Sequence, residues 1–331
     1  MRILVLGGTH HVGRAVVDTA LSRGHGVVTL NRGISGVGTP GVDARHADRL
    51  DGEAVARALG DEVFDAVVDT WSWTPVAVRD SARLLAGRAG RYTYVSSRSV
   101  YQWPPPPGSD ETAPVVDGDP SSTGSVDYAA AKRGGELAVT AEFDGPVALL
   151  RAGLILGPYE VVGRLPFWLT RIARGGRVPV PGPPDRPLQL IDARDLAEWV
   201  VDVQPVGTFN TVSRPGHTTM GELLDECVRA TGSDAELVWL RPEVVEASGV
   251  EPWTELPIWT PATGDLAALH DCDTSAARGA GLRCRPVAKT VTDTWAWLQR
   301  EGIRVSRADR PPSGMDAAAE ARLWAAAGSA G

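Results

Sequence analysis

The first thirty residues alternate between short apolar runs and one amphipathic stretch. Residues 3–6 form an unbroken apolar run, which is typical of a parallel strand buried on both faces. Two glycines follow, and Val12 opens a series of apolar residues at helical spacing that ends near Gly24. Residues 27–30 are a second apolar run. The pattern predicts a strand, a glycine turn, a helix and a parallel strand, which together can place a helix N-terminus against a pyrophosphate.

The same alternation continues through the first half of the chain. Apolar runs predict strands at residues 66–69, 92–96 and 147–151, and helical spacing predicts helices at residues 76–86 and 128–141. Strands that alternate with helices form parallel sheets with helices on both faces. We therefore predict an α/β fold, a doubly wound parallel sheet of the Rossmann type.

The pattern becomes less regular after Gly157 and Pro158. We predict helices at 165–173, 195–203 and 219–231, strands at 188–191 and 208–211, a proline-rich turn at 179–187 and an irregular region at 236–274. Thr219 and Glu222 have the spacing of a capping box, which marks the start of one of these helices.

Composition narrows the class of protein. The chain has 331 residues, of which 43% are hydrophobic, so it can bury a substantial core. Its net charge of −8 argues against bulk affinity for nucleic acid, and three cysteines without a CxxC motif fit a reduced compartment. No apolar run approaches the length of a membrane span. We expect a soluble, cytoplasmic protein.

The glycine turn is the candidate nucleotide site. Residues 7–13 read GGTHHVG rather than G-x-G-x-x-G, and we interpret His10 and His11 as polar turn residues, because no third ligand stands at metal-binding spacing. Asn31 and Arg32 follow the second predicted strand, where an acid would bond the ribose 2′-hydroxyl and repel a 2′-phosphate. The absence of an acid favours NADP(H), with NAD(H) as the alternative.

Tyr128 and Lys132 are candidates for acid–base chemistry. Interconversion of a ketone and an alcohol needs a proton donor or acceptor at the oxygen, and a free tyrosine is too weak a base near neutral pH. A lysine four residues further along a helix lies on the same face and favours the phenolate through its charge. Tyr128 and Lys132 have that spacing.

Four motifs taken together resemble one superfamily. They are GGTxxxG at the N-terminus, Ser-Ser-x-x-Val-Tyr at 96–101, Tyr-x-x-x-Lys at 128–132 and RAGLILGP at 151–158. Over roughly residues 1 to 300 the chain resembles the extended short-chain dehydrogenase/reductases, and among them the actinobacterial NAD-dependent epimerase/dehydratase proteins that begin GGT.

The resemblance implies a domain organisation. The expected dinucleotide-binding domain comprises residues 1–157 and 186–213, with a smaller, interleaved substrate domain at 158–185 and 214–302. Residues 303–331 are expected to form a tail with a helix at 316–327.

The resemblance also implies roles for individual residues. Ser97 would orient the reacting oxygen, Tyr128 would act as acid or base, and Lys132 would also hold the nicotinamide ribose, while Asp48 and Arg49 would flank the adenine. The full set implied to bind the cofactor is Gly7, Thr9, His10, His11, Val12, Gly13, Asn31, Arg32, Asp48, Arg49, Asp69, Thr70, Trp71, Ser96, Tyr128, Lys132, Ala152 and Leu154. The candidate substrate contacts are Arg98, Trp103, Gln189 and Trp253.

One departure from the family pattern limits the chemistry. Related 4,6-dehydratases carry Asp-Glu where this chain has Arg98 and Ser99, and Arg-Ser cannot perform that elimination. Arg98 is interpreted either as a contact to an anionic or carbonyl group of the substrate or as an outward-facing, solvated residue.

The function expected from these features is that of an NAD(P)-dependent oxidoreductase acting on a small polar substrate such as a sugar, a nucleoside or a specialised-metabolite intermediate. A nucleotide-sugar epimerase with transient oxidation is the alternative within the superfamily. An alternative of another class is a non-catalytic protein that senses NADP(H) or contacts RNA. The resemblance also implies a possible homodimer.

Overall fold

A computed structural model describes residues 1–34, 38–302 and 313–329. The strands are β1 (Arg2–Leu6), β2 (Gly26–Asn31), β3 (Asp43–His46), β4 (Ala66–Asp69), β5 (Tyr92–Ser97), β6 (Val147–Ala152), β7 (Leu154–Leu156), β8 (Arg177–Pro181), β9 (Pro187–Leu188), β10 (Leu190–Asp192), β11 (Gly207–Thr211), β12 (Thr218–Thr219) and β13 (Glu236–Leu240). The helices are α1 (His11–Ser22), α2 (Gly52–Leu59), α3 (Val76–Leu85), α4 (Tyr128–Glu142), α5 (Arg164–Ala173), α6 (Ala193–Glu198), α7 (Met220–Thr231), α8 (Pro242–Ser248), α9 (Ser275–Gly279), α10 (Val287–Glu301) and α11 (Ala317–Ser329).

The chain divides into two units, each formed from several segments. The first unit comprises Met1–Gly153, Ala193–Val212 and Cys272–Arg283, and the second comprises Leu154–Asp192, Ser213–Asp271 and Cys284–Gly331. None of the described helices is both long enough and apolar enough to cross a membrane.

The first unit is built on a seven-stranded parallel sheet. Its strand order is β11-β6-β5-β4-β1-β2-β3, so that β1 lies between β2 and β4. The apolar residues of β1 are almost completely buried, as expected for a strand with helices on both faces. The predicted Rossmann-type α/β fold is confirmed. Because all these strands are parallel, their carboxyl ends lie on one edge, where ligands bind in such sheets.

Two elements at the start of the chain were absent from the prediction. β3 has the sequence DARH and is largely exposed, so it lacks the apolar run that identifies the other strands. Helix α2 is only eight residues long and buries two side chains, Val55 and Leu59. Both elements lie at the outer edge of the sheet, where hydrophobic patterning is weakest.

The second unit has its own apolar core. Helices α5, α7 and α10 contribute Trp168, Leu223, Val291 and Leu298 to it, all buried. Small strand pairs complete the unit, namely β7 with β10, β8 with β13, and β9 with β12. The predicted capping box at the start of α7 is present, with Thr219 and Glu222 bonded reciprocally.

The expectation of an irregular region at 236–274 and of a turn at 179–187 was partly wrong. β13 pairs in parallel with β8, which occupies the start of the expected proline-rich turn. Helix α8 starts at Pro242 and ends before Gly249, which has φ 63°. Proline at the first helical position and glycine after the last are ordinary helix boundaries, and the local richness in tryptophan and proline concealed them.

The unit boundaries differ from the expected domains because of strand pairing. β7 and β10 pair with each other outside the large sheet, so residues 154–157 and 186–192 fall in the second unit. Residues 272–283 join the first unit, where Asn210 Nδ2 donates to the Asp273 carbonyl and Trp199 Nε1 donates to the Ala280 carbonyl.

The expected tail helix is present and packs within the second unit. Arg171 on α5 pairs with Glu320 on α11 at 2.6 Å, and Arg322 on α11 pairs with Glu255 at 3.1 Å. α11 is therefore part of the folded second unit. Residues 303–312 and 330–331 of the expected tail lie outside the described residues.

A buried ion pair joins three elements of the large sheet. Arg49, which follows β3, donates to both carboxylate oxygens of Asp69 at 2.6 and 2.9 Å. Asp69 is completely buried at the end of β4 and also accepts the Tyr92 hydroxyl of β5 at 2.7 Å. Arg49 donates further to the Ser81 hydroxyl of α3 at 2.9 Å. These buried charges are compensated by ionic and hydrogen-bonded partners.

We expect Asp69→Asn to lower the free energy of unfolding by about 3–5 kcal/mol, because the Arg49 charge would stay buried without its counterion. Urea denaturation of the purified variant measures this. Arg57→Met, which removes an exposed pair with Glu53, is the control and should stay within about 0.5 kcal/mol of the wild type. A loss for Asp69→Asn no larger than that of the control would contradict a structural role for the pair.

Candidate active site and nucleotide cradle

The glycine turn lies between β1 and α1, at the carboxyl edge of the sheet. Gly7 has φ 127° and Gly8 has φ 100°, a region that favours glycine. A Cβ on Gly7 would collide with the Thr70 hydroxyl, and a Cβ on Gly13 would lie 2.7 Å from the Gly8 backbone nitrogen. The turn therefore forms a closely packed backbone cradle, which fits a group that must approach backbone N–H groups closely, such as a pyrophosphate.

Neighbouring side chains hold this cradle in place. The Thr70 hydroxyl donates to the Leu6 carbonyl at 3.0 Å, and the Gly7 N–H donates to the Leu30 carbonyl at 2.9 Å. Asn31 Nδ2 donates to the Gly7 carbonyl at 3.3 Å, and Asn31 Oδ1 accepts the Gly33 N–H at 2.8 Å. Thr70 and Asn31, both expected to bind the cofactor, thus also brace the turn.

The N-terminus of α1 provides an electrostatic partner for an anion. Its first turn contains no acidic residue, and His10 is the N-cap residue. His11 begins the helix with φ 40°, a conformation that non-glycine residues seldom adopt and that is often found at functional sites. Val12 and Gly13, also expected at the cofactor, are buried in this first turn. The positive end of the helix dipole therefore lies at the turn.

A cavity of about 180 Å³ adjoins the glycine turn. Its described lining comes from the turn, from β2 and β3, and from the loop between them, and consists of Gly8, Thr9, Thr29, Asn31, Gly33, Gly38, Thr39, Val42, Ala44 and His46. No Asp or Glu is among these residues. Arg32 is exposed beside the cavity and is not part of this lining. Sequence reasoning missed His46, because it lies on the strand that was not predicted.

The residues expected around the adenine have different environments. Asp48 is exposed and accepts the Leu50 N–H at 3.0 Å, so its carboxylate is near solvent. Arg49 and Asp69 instead form the buried pair described above, and their side chains are bound within the protein. Trp71 is half-buried, and its indole lies 5.1 Å from the Arg49 guanidinium. A nucleotide contact by these residues remains a prediction.

Lys132 is held on the carboxyl edge of the sheet. Its ammonium group donates to the Trp71 and Val95 carbonyls, each at 2.6 Å, and lies 4.9 Å from the centre of the Tyr94 ring. Trp71 follows β4, and Val95 belongs to β5. Lys132 is only 2% exposed, and a buried charge needs polar partners. The two carbonyl oxygens and the Tyr94 ring provide them.

Tyr128 begins α4, one helical turn before Lys132. The Asp127 side chain caps this helix by accepting the Ala129 N–H at 2.8 Å.

Burial is the main cause that raises the pKa of Tyr94 well above its ordinary value, and the nearby Asp69 and Tyr128 raise it further. Tyr94 therefore stays protonated and donates to the Trp71 carbonyl at 3.2 Å, the same oxygen that binds Lys132. Sequence reasoning missed Tyr94, whose position within an apolar strand gives no signal of this role.

The two serines at the end of β5 differ in their surroundings. The Ser96 hydroxyl is buried and donates to Glu136 on α4 at 2.7 Å. Ser97 is half-buried, and its oxygen accepts the Ser99 N–H at 3.1 Å, capping the 3₁₀ turn Arg98–Val100. Ser97 is thus the more exposed of the two serines, and its role at the reacting oxygen stays a prediction, whereas the Ser96 side chain is bonded within the protein.

Glu136 is a further residue that the sequence analysis did not identify. It is completely buried one turn after Lys132 and accepts Arg151 of β6 at 3.0 and 3.1 Å, as well as Arg133 at 3.0 Å. Together with Ser96, this carboxylate ties α4 to the two strands β5 and β6. A charged residue facing an apolar sheet was the only available signal, and its partners on β5 and β6 are distant in sequence.

The four candidate substrate contacts fall in both units. Arg98 is 5% exposed, so the outward-facing, solvated alternative was wrong. Trp103, also in the first unit, is 39% exposed. In the second unit Gln189 is buried and its amide donates to the Ser213 carbonyl at 2.8 Å. The half-buried Trp253 packs under the Arg164 guanidinium at 4.5 Å. Of the last two expected cofactor contacts, Ala152 ends β6 and Leu154 begins β7.

Comparison with known proteins places this chain in a family. The NAD dependent epimerase/dehydratase family matches residues 3–204, and the chain belongs to that family. It is an enzyme of the short-chain dehydrogenase/reductase type. No curated protein matches its sequence.

Solved structures share the fold at low identity. The Bordetella bronchiseptica enzyme WbmH, in complex with NAD⁺, is 19% identical with a TM-score of 0.67, over 91% of this chain and 99% of that one. The UDP-glucose 4-epimerase of Thermus thermophilus, in complex with NAD, is 18% identical with a TM-score of 0.65, over 91% and 100%. The dTDP-glucose 4,6-dehydratase of Bacillus anthracis, in complex with NAD, is 16% identical with a TM-score of 0.64, over 91% and 97%.

We expect Gly13→Ala to lower the free energy of unfolding by about 1–3 kcal/mol, because the new methyl group would press on the Gly8 backbone. Nucleotide binding should weaken in parallel, since the turn must shift. Gly52→Ala is the matched control: it also lies in the first turn of a helix, and nothing lies within 4 Å of its added Cβ. The control should be neutral or stabilising by up to about 1 kcal/mol. Equal unfolding curves for both variants would show that the turn is not tightly packed.

Proposed function

We propose that this enzyme binds a nicotinamide dinucleotide at the glycine turn and interconverts a ketone and an alcohol on a small polar substrate. One observation carries the proposal: residues 70 and 71 join the turn to the candidate acid–base pair. The Thr70 side chain packs against Gly7, while the Trp71 carbonyl accepts the Lys132 ammonium group at 2.6 Å. The cradle and the charged lysine therefore share one edge of one sheet.

In this proposal the protein transfers a proton to or from the substrate oxygen. The nicotinamide ring, when bound, supplies the hydride donor or acceptor. Tyr128 gives a proton to the substrate oxygen in reduction and takes one in oxidation. The ammonium group of Lys132 is fixed by two carbonyl oxygens, one helical turn after Tyr128 and on the same helix face.

Two further side chains support the substrate in this proposal. Ser97 lies half-buried at the end of β5 and donates a hydrogen bond to the reacting oxygen. Arg98 is buried beside it and binds an anionic or carbonyl group of the substrate. Because Arg98 and Ser99 provide no carboxylic acid, the proposal is redox chemistry without elimination of water.

Epimerisation by transient oxidation is the second candidate. It is favoured by the structural neighbours, which include a Bordetella bronchiseptica enzyme in complex with NAD and UDP and a Thermotoga maritima UDP-glucose 4-epimerase with UDP-glucose. By analogy, a sugar nucleotide is the first substrate class to test. Net reduction consumes cofactor, whereas epimerisation returns the hydride and consumes none.

NADP(H) is the preferred cofactor in this proposal. The carboxylate that bonds the ribose 2′-hydroxyl in NAD-specific sites is absent from the described lining of the cavity, and the exposed Arg32 lies beside it. We expect NADPH to bind about tenfold more tightly than NADH, as one additional charge-assisted contact allows. Quenching of the fluorescence of the 11 tryptophans measures both dissociation constants.

Tighter binding of NADH would refute the preference for NADP(H) while leaving the dinucleotide site intact. Failure of both cofactors to bind, in a preparation that carries none already, would overturn the proposed function.

We expect Tyr128→Phe to lower kcat by about 10²–10⁴-fold, because the substituted ring can neither donate nor accept the proton. A panel of ketones and UDP-sugars, followed by NADPH absorbance and by product analysis, supplies the assay. The dissociation constant for NADPH should change less than about twofold, which separates loss of chemistry from loss of folding. Wild-type turnover in this variant would exclude Tyr128 as the acid or base.

A further inference from the structure

The cavity beside the glycine turn contains one titratable side chain among its described lining residues, that of His46. We propose that His46, beside Arg32, binds the 2′-phosphate of the adenosine ribose and thereby contributes to the choice between NADP(H) and NAD(H). This inference rests on the proposed function, because it assigns a role to a residue within the same nucleotide site.

The position of His46 in the sheet supports this role. It ends β3 and pairs in register with Asn31, which ends β2, so both residues stand at the carboxyl edge. The end of the second strand is where this class of fold reads the ribose 2′ position. A Cβ added to Gly33 would lie 3.0 Å from His46 Nδ1, and Gly33 has φ 68°. Glycine at this position therefore leaves the imidazole close to the backbone that follows β2.

The other polar lining residues are less suited to binding a doubly charged phosphate. Asn31 already donates to the Gly7 carbonyl and accepts the Gly33 N–H, so its amide is engaged at both ends. Thr9, Thr29 and Thr39 supply hydroxyl groups, which are neutral. An imidazolium is the one cationic donor that this lining can supply, and charge-assisted hydrogen bonds to phosphate are about twice as strong as neutral ones.

The proposal predicts an affinity that depends on pH. Histidine is the side chain that ordinarily changes charge between about pH 5 and 8, so a contact that requires imidazolium weakens as the pH rises through that range. Other titratable or charged groups on the lining elements and their flanks are His10, His11, His25, Arg32, Asp43, Arg45 and Asp48. Of these, Arg45 is paired with Asp43 at 2.8 Å and with Glu62. His10 and His11 are the histidines of the glycine turn, so their contribution must be separated from that of His46.

Adenosine 2′,5′-bisphosphate and 5′-AMP are the probes, because they differ in the 2′-phosphate and contain no nicotinamide. Calorimetric titrations between about pH 6 and pH 8.5, across the range in which histidine changes charge, give the ratio of their affinities. For the wild type we expect the preference for the bisphosphate to fall about tenfold across this range. For His46→Gln we expect a preference that is about tenfold lower at acid pH and independent of pH.

Matched variants distinguish the possible outcomes. His25→Gln changes a histidine just before β2, at the opposite edge of the same sheet, and should behave as the wild type. His10→Gln should keep the pH dependence. If His46→Gln leaves the preference for the bisphosphate unchanged, or if that preference disappears in His10→Gln instead, the inference is overturned but the proposed dinucleotide site is not.

If neither probe binds and NADPH does not bind either, the proposed function is overturned together with the inference. Because His46 is exposed, its substitution leaves the core intact, and circular dichroism verifies this.

Discussion

The carboxylate of Asp69 is the constraint on which the candidate site depends. It is buried at the end of β4, where Arg49 and the Tyr92 hydroxyl satisfy it. It also accepts the Trp71 N–H at 2.9 Å, which sets the path of the two residues that follow the strand. Thr70 then packs on the glycine turn, and the Trp71 carbonyl receives Lys132. One buried charge therefore positions both the nucleotide cradle and the cation of the candidate acid–base pair.

A second buried carboxylate gives the other side of the site the same rigidity. Glu136 binds Ser96 and Arg151, so α4 is attached to β5 and β6 directly behind Lys132. Buried ion pairs contribute little net stability compared with apolar packing, but the loss of one partner is costly. Their value here is geometric: each fixes a backbone segment that carries a residue of the candidate site. A helix held only by apolar contacts could slide by a fraction of a turn, and the proton transfer proposed for Tyr128 would not tolerate that shift.

Sequence patterns predicted what depends on local spacing. The strand–turn–helix at the N-terminus was recognised from the spacing of its apolar residues. The Tyr128–Lys132 pair was recognised from its four-residue spacing on a predicted helix. The roles of Arg49, Asp69 and Glu136 could not be recognised, because the partners that join them to other secondary-structure elements lie between 15 and 40 residues away. His46 was missed for a different reason. Its strand has no apolar pattern, and His46 comes to line the cavity beside the glycine turn through its register with Asn31.

The fold alone does not determine which reaction the enzyme catalyses, and individual side chains reduce the number of candidate reactions. The neighbours of similar TM-score include both an epimerase and a dehydratase, so the shared backbone supports either chemistry. Elimination of water needs an acid and a base beyond the tyrosine, and neither Arg98 nor Ser99 supplies a carboxylic acid. Arg98 is buried and therefore cannot be dismissed as a solvated substitution. A buried cation at residue 98 would stabilise negative charge on an oxygen placed near it, as the reaction proposed for this enzyme requires.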